Sequence, residues 1–199
     1  MTLDLVTLAT VRELRGWSAD ATKDAVISDL ITAVSERFAG EMCGRLLLKV
    51  ERTEQKNVNP GQRYFQLDAW PVDTGESFTV VNDYERAFTG DAVAAADYYL
   101  QDDIGQLSFD VGLEQGRGAL QVTYTAGLAA TAADVESNCP DIADAVRRQV
   151  VYEFERKDSL GQTSQTLGQS QNTKSWAAPD GWLEGVKDVI MRYRRLVFV

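Results

Sequence analysis

Histidine is absent from the chain's 199 residues, and that absence removes the commonest general base, the usual nucleophile triads and most zinc sites. Cysteine is scarce. Cys43 and Cys139 lie far apart and belong to no CxxC or Cys/His cluster, which points to free structural thiols rather than a metal centre or a disulfide framework. No apolar run approaches the roughly 18 residues that a bilayer requires, and Met1-Thr-Leu-Asp4 lacks the basic start and apolar core of a signal peptide. The expectation is a soluble, unexported chain with no membrane contact. Cations are also short, with 20 Lys and Arg against 30 Asp and Glu and a net charge of −10. Such a surface repels a phosphate backbone, so sequence-specific DNA binding is not expected. The C-terminus is the exception: Arg192, Arg194 and Arg195 cluster there with no acid after Asp188.

What is present is enough for one core of ordinary size with extensions, since 44% of the residues are hydrophobic. Thr7 fits as the cap of a short helix with Leu8, Val11 and Leu14 on one face, stopped by Gly16. Ile27, Leu30, Ile31, Val34, Phe38 and Met42 then recur at helical spacing, predicting a long helix from about Ser18 to Met42 that Gly44 ends. The period shortens after that point. Leu46–Arg52 and Arg63–Leu67 read as two strands, and the turn formers of Asn57-Val-Asn-Pro-Gly-Gln62 between them predict a hairpin with a protruding loop. Further strands are expected at Ser77–Val81, Asp97–Gln101, Gln106–Phe109 and Ala119–Tyr124, with a break at Trp70-Pro71. After Pro140, Ile142, Val146, Val150 and Phe154 repeat every four residues and predict an amphipathic helix to about Lys157. The Gln-, Ser-, Thr- and Gly-rich tract from Asp158 to Ser175 has almost nothing to bury and reads as a flexible linker. Beyond it, Asp180 fits as the cap of a last helix bearing Trp182, Val186, Val189, Ile190 and Tyr193. The fold class is therefore α+β: N-terminal helices, a small antiparallel β layer with a protruding hairpin, an amphipathic helix, a flexible linker and a C-terminal helical tail.

Little in the sequence is arranged for chemistry. Asp102 and Asp103 are adjacent, so on a strand they point to opposite faces and suit a solvated turn better than an acid/base pair. Asp110 and Glu114 show no calcium-loop spacing. Gly112-Leu-Glu-Gln-Gly-Arg-Gly118 lacks the Gly-Lys-Ser/Thr ending of a phosphate loop and precedes a strand, which favours a hairpin turn. Cys43 has no histidine to activate it as a nucleophile. Trp70, Trp176 and Trp182 adjoin loop or linker residues and suit subunit contacts better than a sugar platform. No catalytic residue, cofactor or metal site is expected.

The order of certain motifs carries more information. A long helix ends near an aromatic and a glycine at Phe38–Gly44, and a strand leads into a Pro-Val pair at Leu67–Val72. Another strand ends in Tyr-Thr-Ala-Gly at Val122–Gly127. A loop, a proline and a helix finishing Tyr152-Glu-Phe-Glu-Arg156 follow. This succession, over residues 5–157, resembles the head-to-tail connector (adaptor) family of tailed phages and gene transfer agents. The resemblance implies a non-enzymatic virion protein, assembled in the host cytoplasm as a ring of twelve copies. It implies a portal protein on one side, a stopper or tail component on the other, and DNA passing non-specifically through the lumen. The corresponding division is a connector core at 1–158, a linker at 159–180 and a C-terminal arm at 181–199. The long Asn57–Gln62 loop and everything after 157 fall outside the family pattern, so their roles rest on physics alone. Trp182, Arg192, Tyr193, Arg194, Arg195, Leu196 and Phe198 form a candidate portal- or neighbour-binding arm, which either reaches another ring or folds back on its own subunit. Asn57, Asn59, Pro60 and Gln62 form a second candidate contact. The competing readings are a stopper or tail-completion protein and, more remotely, a carboxylate-dependent hydrolase.

Overall fold

The first helix starts where a side-chain acceptor meets an open backbone donor. The computed structural model, which describes residues 3–43, 45–157, 164–166, 173–175 and 181–194, places Thr7 as the cap of α1 (Leu8–Arg15), with its hydroxyl taking the N–H of Thr10. Gly16, at φ 63°, closes α1 in the left-handed conformation that glycine adopts without steric cost. α2 (Ala21–Gly40) begins three residues later than the periodicity suggests because Asp20 accepts from the N–H groups of Thr22 and Lys23. Its stripe of Ile27, Ile31, Val34 and Phe38 is buried. Burial of each such side chain stabilises by about 1.5–3 kcal/mol. Gly44, the expected terminator, lies outside the described residues; α2 has already ended at Gly40.

Two compact units emerge from the contacts, residues 1–43 with 131–199 and residues 44–130. In the first, α2 packs on α4 (Pro140–Arg156), which starts with Pro140 in its first turn and buries Ile142, Val146 and Val150 as the four-residue repeat requires. Phe154, next in that repeat, is half-buried against Trp17, ring centroids 5.0 Å apart. A further helix, α3 (Ala132–Asn138), occupies what reads in the sequence as a loop. A capping box forms it: the Thr131 hydroxyl accepts from the Asp134 N–H while the Asp134 carboxylate accepts from the Thr131 N–H. α5 (Glu184–Tyr193) completes the unit. Of the tract expected to be a linker, β7 (Ser164–Thr166) and β8 (Thr173–Ser175) pair antiparallel; the rest, Trp176 and Asp180 included, lies outside the described residues.

The second unit holds two three-stranded antiparallel sheets in the orders β1-β6-β3 and β2-β5-β4. The strands are β1 (Val50–Val58), β2 (Tyr64–Gln66), β3 (Thr79–Asn82), β4 (Tyr98–Gln101), β5 (Gln106–Phe109) and β6 (Gly116–Ala126). The expected hairpin is thereby corrected. β1 extends to Val58 and pairs with β6, whereas β2 pairs with β5, so the turn between β1 and β2 links the two sheets. Local turn chemistry marks that turn correctly but says nothing about which distant strand completes each ladder. The Gly112–Gly118 stretch likewise joins β5 to β6 across the sheets instead of forming a hairpin. Alternating side chains of both sheets, among them Phe65, Leu107, Phe109, Leu120, Val122 and Tyr124, meet in one core. β6 ends just before Gly127, whose φ of 139° and close approach to Leu48 leave no room for a side chain: a Cβ there would lie 2.4 Å from the Leu48 carbonyl oxygen.

Candidate interaction surfaces

The C-terminal helix is held from beneath by a polar and an aromatic anchor. Buried Gln149 of α4 donates to the Gly181 carbonyl (2.7 Å) and accepts from the Leu183 N–H (3.0 Å), satisfying the backbone just before α5. Trp182 is buried edge-on to Phe38, centroids 6.0 Å apart, with the Arg37 guanidinium 4.4 Å over its ring. Val186 and Ile190 continue the buried stripe. At the far end the Tyr193 hydroxyl donates to Asp141 (2.9 Å), and burial together with that carboxylate raises the phenol's pKa. Arg192 lies 3.4 Å from the same carboxylate. Arg194 donates to the Cys43 sulfur and sits 3.9 Å from Glu41; both hold its pKa up. Of the two arrangements open to the arm, residues 181–194 show the folded-back one. Arg195, Leu196 and Phe198 lie outside the described residues.

The second candidate divides. Asn57 belongs to β1, where its side-chain oxygen accepts from the Gly118 N–H at 2.9 Å. Asn59 and Gln62 close the turn on each other: the Asn59 N–H and side-chain amide both donate to the Gln62 side-chain oxygen, at 3.2 and 2.9 Å. Pro60 and Gly61 are exposed at its tip. The turn is therefore braced and solvent-facing.

Acidic residues are used structurally wherever they approach one another. The Glu54 carboxylate, 9% exposed, accepts from the Asp68 N–H, the Tyr124 hydroxyl and Lys56, the last at 2.9 Å. Burial and that carboxylate push the Tyr124 phenol well above its ordinary pKa. Burial is the largest single influence on the Lys56 ammonium and lowers its pKa, but the Asp68 and Glu54 carboxylates together outweigh it and leave the pKa raised. Asp102 and Asp103 are exposed in the turn between β4 and β5. A groove of about 410 Å³ between α2 and α4 contains Glu153, but that carboxylate is engaged by Arg37 and Gln149. No grouping of three metal-ligating residues occurs among the described residues.

Two features escape the sequence reading. The Asp83 carboxylate accepts from the N–H groups of Glu85, Ala87 and Phe88 at 2.8–2.9 Å, tying down a loop in which Arg86 and Phe88 hold positive φ and Tyr84 is 59% exposed. Those donors depress its pKa. Tyr64 and Tyr99 are also 68% and 67% exposed on the outer face of the β2-β5-β4 sheet. Strand alternation marks both: inward Phe65 and Leu67 put Tyr64 on the outer phase, and inward Leu100 does the same for Tyr99.

No family model and no curated protein matches the sequence. Solved structures do match. A chain from the neck of an empty gene transfer agent (GTA) particle, computed with C6 symmetry, aligns with a TM-score of 0.58 at 18% identity, over 98% of this chain and 92% of its own. One from the neck of a native GTA particle, computed with C12 symmetry, gives 0.58 at 19% over 98% and 91%. A chain from the virion of a native GTA particle gives 0.59 at 17% over 98% and 92%. Along nearly its whole length, the chain has the fold of gene transfer agent particle chains, including those of the neck.

Proposed function

We propose that this chain is a structural, non-enzymatic subunit of the neck of a phage-like particle: an adaptor whose copies form a ring under the portal, meet a stopper or tail component below, and enclose the passage for DNA. The observation that carries this reading is the fold match over 98% of the chain to neck chains of GTA particles. The order of motifs in residues 5–157 supports it independently, as do the C6 and C12 symmetries of those assemblies. The acidic balance fits the role, since carboxylates facing a lumen repel the duplex during transit.

The arm enters this reading in narrower form. Trp182, Val186 and Ile190 are committed inward, so a portal or neighbour meets the outer rim of α5, where Met191 is 71% exposed and the Arg192 side chain 68%. The experiment is electron microscopy of particles assembled with a labelled copy of this chain. Label at the head-tail junction in a closed ring is the expected result; label in the head shell or tail tube refutes the proposal. Separately, Met191→Glu with Arg192→Glu should release the ring from the portal without unfolding the chain.

A further inference from the structure

In a chain where a quarter of the residues are charged, both outer faces of the β unit are nearly free of charge. On the β2-β5-β4 sheet the register sets Tyr64, Ser108 and Tyr99 in one row and Gln66, Gln106 and Gln101 in the next. On the β1-β6-β3 sheet it sets Thr53, Thr123 and Thr79 in one row, with Gln55 beside Gln121 in the next. The Thr53 and Thr123 hydroxyls are within 3.1 Å of each other. The acids are displaced to the margins: Asp102 and Asp103 in the turn beyond Gln101, Asp97 and Asp110 beyond Tyr98 and Phe109, Glu51 one row beyond Thr53.

We infer that these two faces are the contact between neighbouring copies in the ring, the Tyr64/Tyr99 face of one copy packing on the Thr53/Thr79/Thr123 face of the next. The inference rests on the ring reading above. Copies each carrying −10 approach against their mutual repulsion, so contact is least costly where neither side presents a carboxylate. Exposed tyrosines with depleted charge are what protein interfaces concentrate, and a flat row of threonines gives an aromatic ring a surface to lie on. A ring needs a heterologous contact between two different patches. The sandwich carries two such patches on its opposite outer faces, so one unit can hand on to the next. Sheets stack face to face about 10 Å apart. A three-stranded face of about four residues per strand covers only roughly 200 Å² in plan. Each contact is therefore weak alone and is secured by ring closure.

Oxidative cross-linking of assembled particles tests this. With Tyr99→Cys and Thr123→Cys in one chain whose native free thiols are removed as Cys43→Ser and Cys139→Ser, non-reducing gels should show a ladder from dimer to the closed ring, and either introduced cysteine alone should show none. A dimer from Tyr99→Cys alone means that the face meets its own copy and overturns the head-to-tail pairing. Absence of a ladder in particles whose ring is visible by microscopy overturns the interface and leaves the ring standing. Particles without any ring of this chain overturn both.

Discussion

Removing the indole of Trp182 should detach the last helix without dismantling the rest of its unit. A tryptophan side chain buries about 150–250 Å², and Trp182 is 8% exposed, so at about 25 cal/mol per Å² its burial contributes roughly 4–6 kcal/mol as an upper figure. Truncations of this kind cost about 3–5 kcal/mol. The edge-on contact with Phe38 and the Arg37 guanidinium over the ring are lost with it. Isolated helices shorter than about 12–15 residues are marginal in water, and α5 has 10, so it cannot persist undocked. Trp182→Ala should therefore bring the amide exchange of residues 184–193 close to that of an unfolded peptide. Amides of α2 and of the sheets should stay protected. Hydrogen exchange read by mass spectrometry resolves these segments. Unchanged protection across α5 would refute the reasoning, and so would a cooperative loss that includes the sheets.

Gly127→Ala should cost about 3 kcal/mol or more in urea unfolding, because the new Cβ meets the Leu48 backbone; a cost below about 1 kcal/mol would contradict the close approach. Tyr124→Phe leaves the buried Ala69 N–H without its acceptor and removes one of the donors to Glu54, which keeps the Asp68 N–H and Lys56, a loss of about 1–3 kcal/mol measurable in the same assay. Thr131→Ala removes one half of the capping box and should lower stability by about 1 kcal/mol, with exchange rising first in α3. The folded-state pKa of Asp83 is depressed, so its contribution to ordering the loop from 83 to 88 is present above the ordinary aspartate range and fades as pH falls through the lower folded value. The Ala87 and Phe88 amide resonances should shift together in that acid window, and Asp83→Asn should abolish the titration.

Helices were legible wherever burial is periodic and a cap is local: Thr7, Pro140 and the stripes of α2, α4 and α5 each carry their own signal. α3 is illegible because its seven residues bury only Val135 and so show no period, although Thr131 and Asp134 spell its cap. The strand β5 matched its expected limits, but β1 was placed too early. Its stretch from Glu51 to Asn57 is polar and looks like a loop until Glu54 is seen to face the core and to be neutralised by Lys56. Strand partners are illegible in principle, since the ladder joining β1 and β6 runs from Val50 with Ala126 to Val58 with Gly116, a separation that no local preference encodes. Of the candidate contacts, Trp182 is committed to Phe38 within its own unit, through packing that no local pattern in the sequence encodes.

The units have an unequal relation to the order of synthesis. Residues 44–130 are continuous in sequence, whereas the helical unit is assembled from residues 1–43 and 131–199. As the chain leaves the ribosome, α1 and α2 emerge before the sheet unit, with their apolar stripe exposed. The sheet unit becomes complete once β6 is out, and only then does α4 arrive to cover Ile27, Ile31 and Phe38. Until α4 follows, the apolar stripe of α2 is thus an uncovered hydrophobic surface, separated from its cover by an entire intervening unit.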